Sequence, residues 1–239
     1  MNLLELQGVH THIGAYHILH GVDLAVPKGQ LTMLLGRNGA GKTTTLRTIM
    51  GLWHASQGRV RFGDKDITAM HTPQIAELGI AYVPENMGIF SDLTVKENML
   101  LAARGAKNAA QIDDTRLKWI FRLFPAVEKF WNHPAGKLSG GQKQMLAVSR
   151  AIVEPRELLL IDEPSKGLAP VMINNMIDAF GELKRSGVTI LLVEQNINFA
   201  QRLGDNVAVM DNGRVVHSGS MAAFSADAQL QQSLLGLAL

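Results

Sequence analysis

Gly36, Arg37, Asn38, Gly39, Ala40, Gly41, Lys42, Thr43 and Thr44 follow an apolar run, Leu31 to Leu35, and open a segment with helical character. The spacing, a Gly, four residues, then Gly-Lys-Thr, is that of a loop that cradles phosphate. Its glycines let successive backbone N–H groups turn inward around anionic oxygens, and the helix that follows adds partial positive charge at its N-terminus. Lys42 can neutralise the β and γ phosphates of a nucleotide as a point charge, and the Thr43 hydroxyl is placed to ligate the Mg²⁺ that bridges them. A second chemical cluster ends the run Leu158-Leu159-Leu160-Ile161-Asp162-Glu163-Pro164. Asp162 can hold Mg²⁺ through its water shell, and Glu163 can accept a proton from an attacking water.

Leu138-Ser139-Gly140-Gly141-Gln142 precedes a predicted helix from Lys143 to about Val153, stopped before Pro155. Ser139 is placed as its N-cap. Two glycines in succession are a poor choice for helix stability, so they point to backbone contact with an anion. Tyr16, upstream of the phosphate loop, either stacks on adenine or packs on a strand face.

The elements that must position these groups follow from the apolar pattern. Leu3 to Val9, Ile18 to Val26 and Leu31 to Leu35 read as strands separated by Gly14, Pro27 and Gly29. Thr45 to Met50 continues a helix until Gly51; Arg59 to Phe62 and Ile80 to Val83 read as strands, and Pro73 sits near the start of a short helix. Val95 to about Phe130 has helical spacing with a break at Gly105 to Asn108. Leu158 to Ile161 and Val188 to Val193 read as strands buried on both faces of a parallel sheet, where ligands sit at the carboxyl ends. Val207 to Met210 and Arg214 to His217 form a hairpin through Asp211-Asn212-Gly213, and a helical, Leu-rich tail packs on the core. The expected fold class is α/β, with a helical lobe inserted into the α/β core.

With 239 residues, 46% of them hydrophobic, the chain can bury an ordinary core as a soluble globular protein. A net charge of +2 without a basic run argues against nucleic acid as a partner. Without cysteine there are no disulfides, Fe–S clusters or thiolate zinc sites. His10, His12, His17 and His20 are expected as surface or strand positions rather than metal ligands, since no carboxylate completes a site beside them. The start, Met1-Asn2-Leu3-Leu4-Glu5, lacks a basic segment followed by a long apolar stretch, so no signal peptide is expected, and no apolar window is long enough for a membrane span.

Together these motifs resemble the nucleotide-binding subunits of ATP-binding cassette (ABC) transporters across essentially the whole chain, most specifically through Leu138 to Gln142. Most members carry Gln at the strand-to-lobe junction, Asp in the loop after the second carboxylate and His after the last catalytic strand. Here these positions hold Glu85, Pro170 of Ser165-Lys166-Gly167-Leu168-Ala169-Pro170, and Gln195. That triple resembles the second ATPase subunit of branched-chain amino-acid uptake systems and their relatives for urea, amides and other small acids. Departures are Ile13 where Tyr is usual before the Gly14 position, Asn86-Met87 where Gly-Arg is usual, and Lys166 in its loop.

The resemblance implies a P-loop NTPase (RecA-like) core, residues 1–84 and 141–239, with an antiparallel β region and an inserted α-helical lobe, 85–140, in one ABC ATPase domain. It implies ATP held by Gly36, Asn38, Gly39, Ala40, Gly41, Lys42, Thr43 and Thr44, with Tyr16 and, from a second subunit paired head to tail, Ser139, Gly140, Gly141 and Gln142. It assigns Mg²⁺ to Thr43, Asp162 and Glu85, and catalysis to Glu163, Gln195 and Lys42. Gln195 can only position by hydrogen bonds, since it carries no proton at neutral pH. Expected partners are membrane permease subunits, a second ATPase subunit, identical or a sister, and indirectly an extracytoplasmic solute-binding protein, at the cytoplasmic face of the inner membrane. Glu85, Ile89, Phe90 and Leu93 either line a groove for a short helix of the permease or pack the lobe on the core. The alternative is a non-transport ABC-type ATPase or a regulatory ATP-binding protein. Repair members insert a long coiled coil and ribosomal ones carry two cassettes, and neither feature is present.

Overall fold

The computed structural model describes residues 1–103 and 112–236, so the expected break at Gly105 to Asn108 and the last residues of the Leu-rich tail lie outside the described residues. The chain opens with a long ribbon, β1 (Asn2–Ile13) and β2 (Tyr16–Pro27), then β3 (Leu31–Gly36) and α1 (Lys42–Ile49). β4 (Ala55–Phe62), β5 (Lys65–Asp66), α2 (Thr72–Glu77) and β6 (Ile80–Val83) follow. Three helices come next, α3 (Val95–Ala102), α4 (Asp114–Leu123) and α5 (Pro125–Lys129), and then α6 (Gly140–Ile152). The rest alternates: β7 (Leu158–Asp162), α7 (Pro170–Arg185), β8 (Thr189–Glu194), α8 (Ile197–Leu203), β9 (Asn206–Asp211), β10 (Arg214–Ser220), α9 (Met221–Ala226) and α10 (Ala228–Leu235).

Among the described residues the strands make two sheets, an antiparallel one ordered β2-β1-β4-β5 and a larger one ordered β10-β9-β3-β8-β7-β6. In the larger sheet β3 lies parallel between β8 and β9, β7 lies parallel between β6 and β8, and β10 closes one edge antiparallel to β9. The strand period of two splits the apolar runs between two buried clusters. Leu31, Met33, Leu35, Leu159, Ile161, Ile190 and Leu192 join the cluster that holds α6, α7 and α8, whereas Leu34, Leu158, Leu160, Leu191 and Val193 join the one shared with α1 and the antiparallel sheet. Both faces are covered, which is why these strands read as uninterrupted apolar runs.

Several boundaries move from their expected places, β4 for one starting at Ala55 rather than Arg59, and two of the moves have a plain local cause. α6 starts at Gly140 rather than Lys143, because Ser139 caps it reciprocally: the Gln142 N–H donates to Ser139 Oγ and the Ser139 N–H to Gln142 Oε1. β1 continues to Ile13 rather than Val9, because its ladder to β2 runs on through His10 and His12, whose side chains interrupt the apolar pattern but not the backbone pairing. α6 packs on α3 and α5 as well as on β6, so the helical lobe and the sheet share one buried cluster.

The hairpin at Asp211 to Arg214 closes through Asn212 and Gly213, with φ of 45° and 73°, the left-handed pair that a two-residue turn requires. A Cβ on Gly213 would lie 2.1 Å from the Ile18 carbonyl oxygen, so this glycine also lets the hairpin press on β2 beside the phosphate loop.

Candidate functional site

β3 ends at Gly36, where a Cβ would stand 2.3 Å from the Met210 carbonyl oxygen; only glycine permits the chain to leave the sheet there. Gly39 and Gly41, with φ of 81° and 104°, turn the loop into the N-terminus of α1. Beyond Gly39 no atom lies within 4 Å of a built Cβ, so this side of the loop is open to a close ligand. The cavity above it, about 370 Å³, is floored by residues 38–44 and walled by Ile18, Glu85, Glu163 and Lys166.

Lys42 is 5% exposed, and its ammonium donates to the carbonyls of Gly36 (2.8 Å) and Arg37 (3.0 Å). Burial pulls its pKa down, while the carboxylates of Glu163 and Asp162 push it back up. From the end of β7, Asp162 accepts from the Thr43 hydroxyl at 3.1 Å and from the Tyr82 hydroxyl at 3.3 Å. Burial raises the Asp162 pKa, opposed by the Thr43 hydrogen bond, and burial with the Asp162 charge pushes Tyr82 up to about 12. A hydroxyl and a carboxylate side by side, both hard oxygen donors, suit Mg²⁺, which keeps most of its waters and takes one or two protein ligands.

Glu163 holds a left-handed backbone, φ 48°, an uncommon conformation for a residue with a side chain. Its N–H still donates to the Val193 carbonyl at 2.9 Å, which anchors the turn to β8. Gln195 Nε2 donates to Glu163 Oε1 at 2.5 Å and to Asn38 Oδ1 at 2.7 Å, bridging the carboxylate to the phosphate loop. Lys42 Nζ stands 3.7 Å from the same Oε1. The segments after β3 and β7 meet in the cavity wall, and Gln195 from the end of β8 ties them together.

Besides Ile18 and Lys166 in the cavity wall, two further residues that carried no functional expectation shape this site. Glu194, 2% exposed, accepts from the backbone N–H groups of Ser165 (2.9 Å), Gln195 (3.1 Å) and Asn196 (3.2 Å), joining the loops after β7 and β8. Tyr82 reaches Asp162 from β6. A carboxylate closing an otherwise apolar strand run was the available signal for Glu194; nothing local marked Tyr82.

The other expected site residues divide between this cavity and places apart from it. Glu85 does wall it, with its carboxylate 2.6 Å from Lys166 Nζ. Ser139 to Gln142 are not among its walls, and neither is Tyr16, which is 76% exposed and so is not packed on a strand face. Gly141 has a packing reason of its own, since a Cβ there would meet Met172 Cε of α7 at 2.6 Å, while Gly140 is open. The four N-terminal histidines gather around His17 on the β1–β2 ribbon, with His10 and His12 stacked on it and His20 tilted to it, and among the described residues no group of three or more His, Asp or Glu is placed to hold a metal ion.

The groove between sheet and lobe is separate. About 830 Å³ in volume, it is lined by Leu52, Trp53, Pro84, Met87, Leu101 and Arg150 among others. Of the residues expected there, Glu85 faces the phosphate cavity instead, and Ile89 packs on the shared buried cluster. Phe90 sits at 5.0 Å from the Arg150 guanidinium.

A family model described as ABC transporter matches residues 19–166. The chain is 38% identical over 234 residues to the high-affinity branched-chain amino acid transport ATP-binding protein BraG of Pseudomonas aeruginosa, covering 98% of this chain and 100% of the relative. It is 37% identical over 205 residues to the probable branched-chain amino acid transport ATP-binding protein LivF of Archaeoglobus fulgidus, covering 85% and 86%. Among solved structures, a nucleotide-free ATP-binding cassette from an ABC transporter superposes with a TM-score of 0.83 at 26% identity, covering all of both chains.

Proposed function

This chain belongs to the ABC transporter family, binds nucleotide and is an ATPase, and on that premise we propose that it powers an importer of branched-chain amino acids or of a similar small polar or amide solute. It would work at the cytoplasmic face of the cell membrane, bound to permease subunits that receive solute from an extracytoplasmic binding protein. The relatives' transport systems support this reading; among the described residues no helix is long and apolar enough to cross a membrane, so the membrane is reached through a partner.

Within the site, Lys42, Asn38, Thr44 and the backbone of Gly36 and Gly39 to Gly41 take the β and γ phosphates of the substrate ATP, with the N-terminus of α1 beneath them. Thr43 and Asp162, with Glu85 nearby, would hold Mg²⁺, which would supply neutralisation of charge on the phosphate oxygens. Glu163 takes the proton of the attacking water at its carboxylate, and Gln195 fixes that carboxylate against Asn38 through two hydrogen bonds. Ser139 to Gln142 cover the triphosphate of a second subunit, identical or a sister: in this chain they stand outside the phosphate cavity, at the capped start of α6, where Ser139 and Gly140 are exposed. Tyr16 would meet the base of the nucleotide, a role supported by its exposure and by Ile18 of the same ribbon walling the cavity. Residues 85–140 form the lobe that transmits closure to the permease.

The observation that carries this reading is the Glu163 carboxylate, held in a left-handed turn between Gln195 and Lys42 over the phosphate loop. Glu163→Gln keeps the shape and removes the base. Steady-state hydrolysis is expected to fall at least about a hundredfold with Mg-ATP affinity retained. Turnover within a few-fold of the unaltered chain removes Glu163 from the role.

A further inference from the structure

At the mouth of the phosphate cavity stands a second ammonium, that of Lys166. Its Nζ lies 2.6 Å from Glu85 Oε1 and 3.6 Å from Glu163 Oε2. The two carboxylates come from different strand ends, Glu85 just after β6 and Glu163 just after β7, so the lysine bridges two segments that nothing covalent joins closely.

The last torsion of a glutamate side chain is soft, and its carboxylate plane is set by whatever holds each oxygen. Oε1 of Glu163 is held by Gln195, with Lys42 behind it. Oε2 faces Lys166. Lys166 itself takes its position from the much shorter contact with Glu85, and both charged carboxylates hold its proton, raising its pKa. With the Lys166 side chain 59% exposed, such an ion pair adds little to stability. Its consequence is orientation.

Glu85 also opens the turn that leads into the lobe, through Met87 (φ 64°) and Gly88, and both of these residues line the groove between sheet and lobe. The carboxylate that sets Lys166 is therefore one residue from the wall of that groove.

The geometry points to Lys166 as a positioning residue for ATP hydrolysis: by pairing with Glu85 and Glu163 together, it aligns the base and ties that alignment to the turn walling the groove. The inference rests on Glu163 being the base. Its distinct content is that the lobe junction reaches the base through one side chain that does not itself react.

Steady-state kinetics and ADP affinity of the full 239-residue chain test it, with Lys166→Met, Lys166→Arg, Glu85→Gln and the Lys166→Met/Glu85→Gln pair. Lys166→Met is expected to lower kcat about tenfold while KM for ATP and ADP affinity stay within about threefold, since alignment and not binding is lost. Lys166→Arg, which keeps the charge and can span both carboxylates, recovers kcat to within about threefold. Glu85→Gln, which also alters a side chain assigned to the Mg²⁺ site, loses at least as much as Lys166→Met, and the pair loses no more than Glu85→Gln alone, because Lys166→Met then removes nothing further from the linkage. An unchanged kcat, a rise in KM without a fall in kcat, or additive losses in the pair would overturn the proposal. Glu163→Gln run alongside separates the two readings: if it turns over normally, the base assignment fails; if it is inactive while Lys166→Met is normal, only the role of Lys166 fails.

Discussion

Glu194 shows how one buried carboxylate holds two functional loops in register. Its Oε1 accepts from the Ser165 N–H and its Oε2 from the N–H groups of Gln195 and Asn196, so the segment after β7 that carries Lys166 and the segment after β8 that carries Gln195 share one anchor. Burial raises its pKa, opposed by the hydrogen bonds it accepts. Glu194→Gln leaves one oxygen and turns an NH₂ group toward backbone donors. The expected cost is about 1–3 kcal/mol in denaturant unfolding, with kcat reduced more than KM because the Gln195 and Ser165 loops shift together. Unfolding curves and kinetics of that variant that match the unaltered chain would show that the three contacts carry no weight. At the same scale, the left-handed φ of Glu163 is the backbone feature that turns its carboxylate into the cavity, and Asn38 and Gln195 are what keep it there.

The β1–β2 ribbon has its own electrostatics, separate from catalysis. His10 pairs with His20 and His12 with His17 across the ladder, so four imidazoles collect on one stretch of it. His12 and His17 stack at 4.2 Å and 8°, and His10 Nδ1 lies 3.0 Å from His17 Nε2. Partial burial first, then His17, Arg214, His10 and His12 when charged, lower the pKa of His20. A histidine whose folded pKa lies below its unfolded value of about 6.5 stabilises the fold above that value and loses the contribution as pH falls through the folded pKa, since the unfolded chain then binds more protons. The melting temperature is therefore expected to fall as pH drops below about 6.5, and His20→Gln to flatten that slope. Melting curves at a series of pH values on both proteins check it; parallel slopes would remove His20 as the cause. The ribbon lies against the β9–β10 hairpin through the His20 N–H to Gly213 carbonyl bond, 2.9 Å, so its stability bears on the wall of the phosphate cavity.

At the scale of the whole molecule, two concavities lie on either side of the Pro84 to Gly88 turn: the phosphate cavity, which Glu85 walls, and the groove toward the lobe, lined by Pro84, Asn86, Met87 and Gly88. The groove exposes Leu52 (48%) and Leu101 (60%), and buries Trp53 Nε1 and Arg150 Nε, two donors without a hydrogen-bond partner among the described residues. Exposed apolar side chains in a groove suit a docked segment that is apolar along one face, whereas Trp53 Nε1 and Arg150 Nε are buried and lie out of its reach. Leu101→Asp is expected to leave the melting temperature and the ATPase rate of the isolated chain near their original values while abolishing co-purification with the permease and solute uptake. A loss of stability of the same size as the loss of uptake would assign Leu101 to lobe packing instead. The phosphate-loop spacing, the carboxylate pair and the capped glycines were legible in the amino-acid sequence because each pattern depends on local order. Gly36 to Thr44 needs glycines at set offsets, Asp162 and Glu163 follow a doubly buried strand run, and Ser139 caps a helix three residues before its reciprocal partner Gln142. The sixteen-residue α7 drew no such notice, although Met176, Ile177, Phe180 and Leu183 repeat at helical spacing, because no chemistry sits on it. Tertiary structure alone decided the pairings between strand ends: Tyr82 on Asp162, Glu194 on the Ser165 loop, Lys166 between Glu85 and Glu163, and the turning of Glu85 away from the groove. Residues 80 or more positions apart become neighbours when parallel strands align their carboxyl ends, and chain order carries no record of that distance.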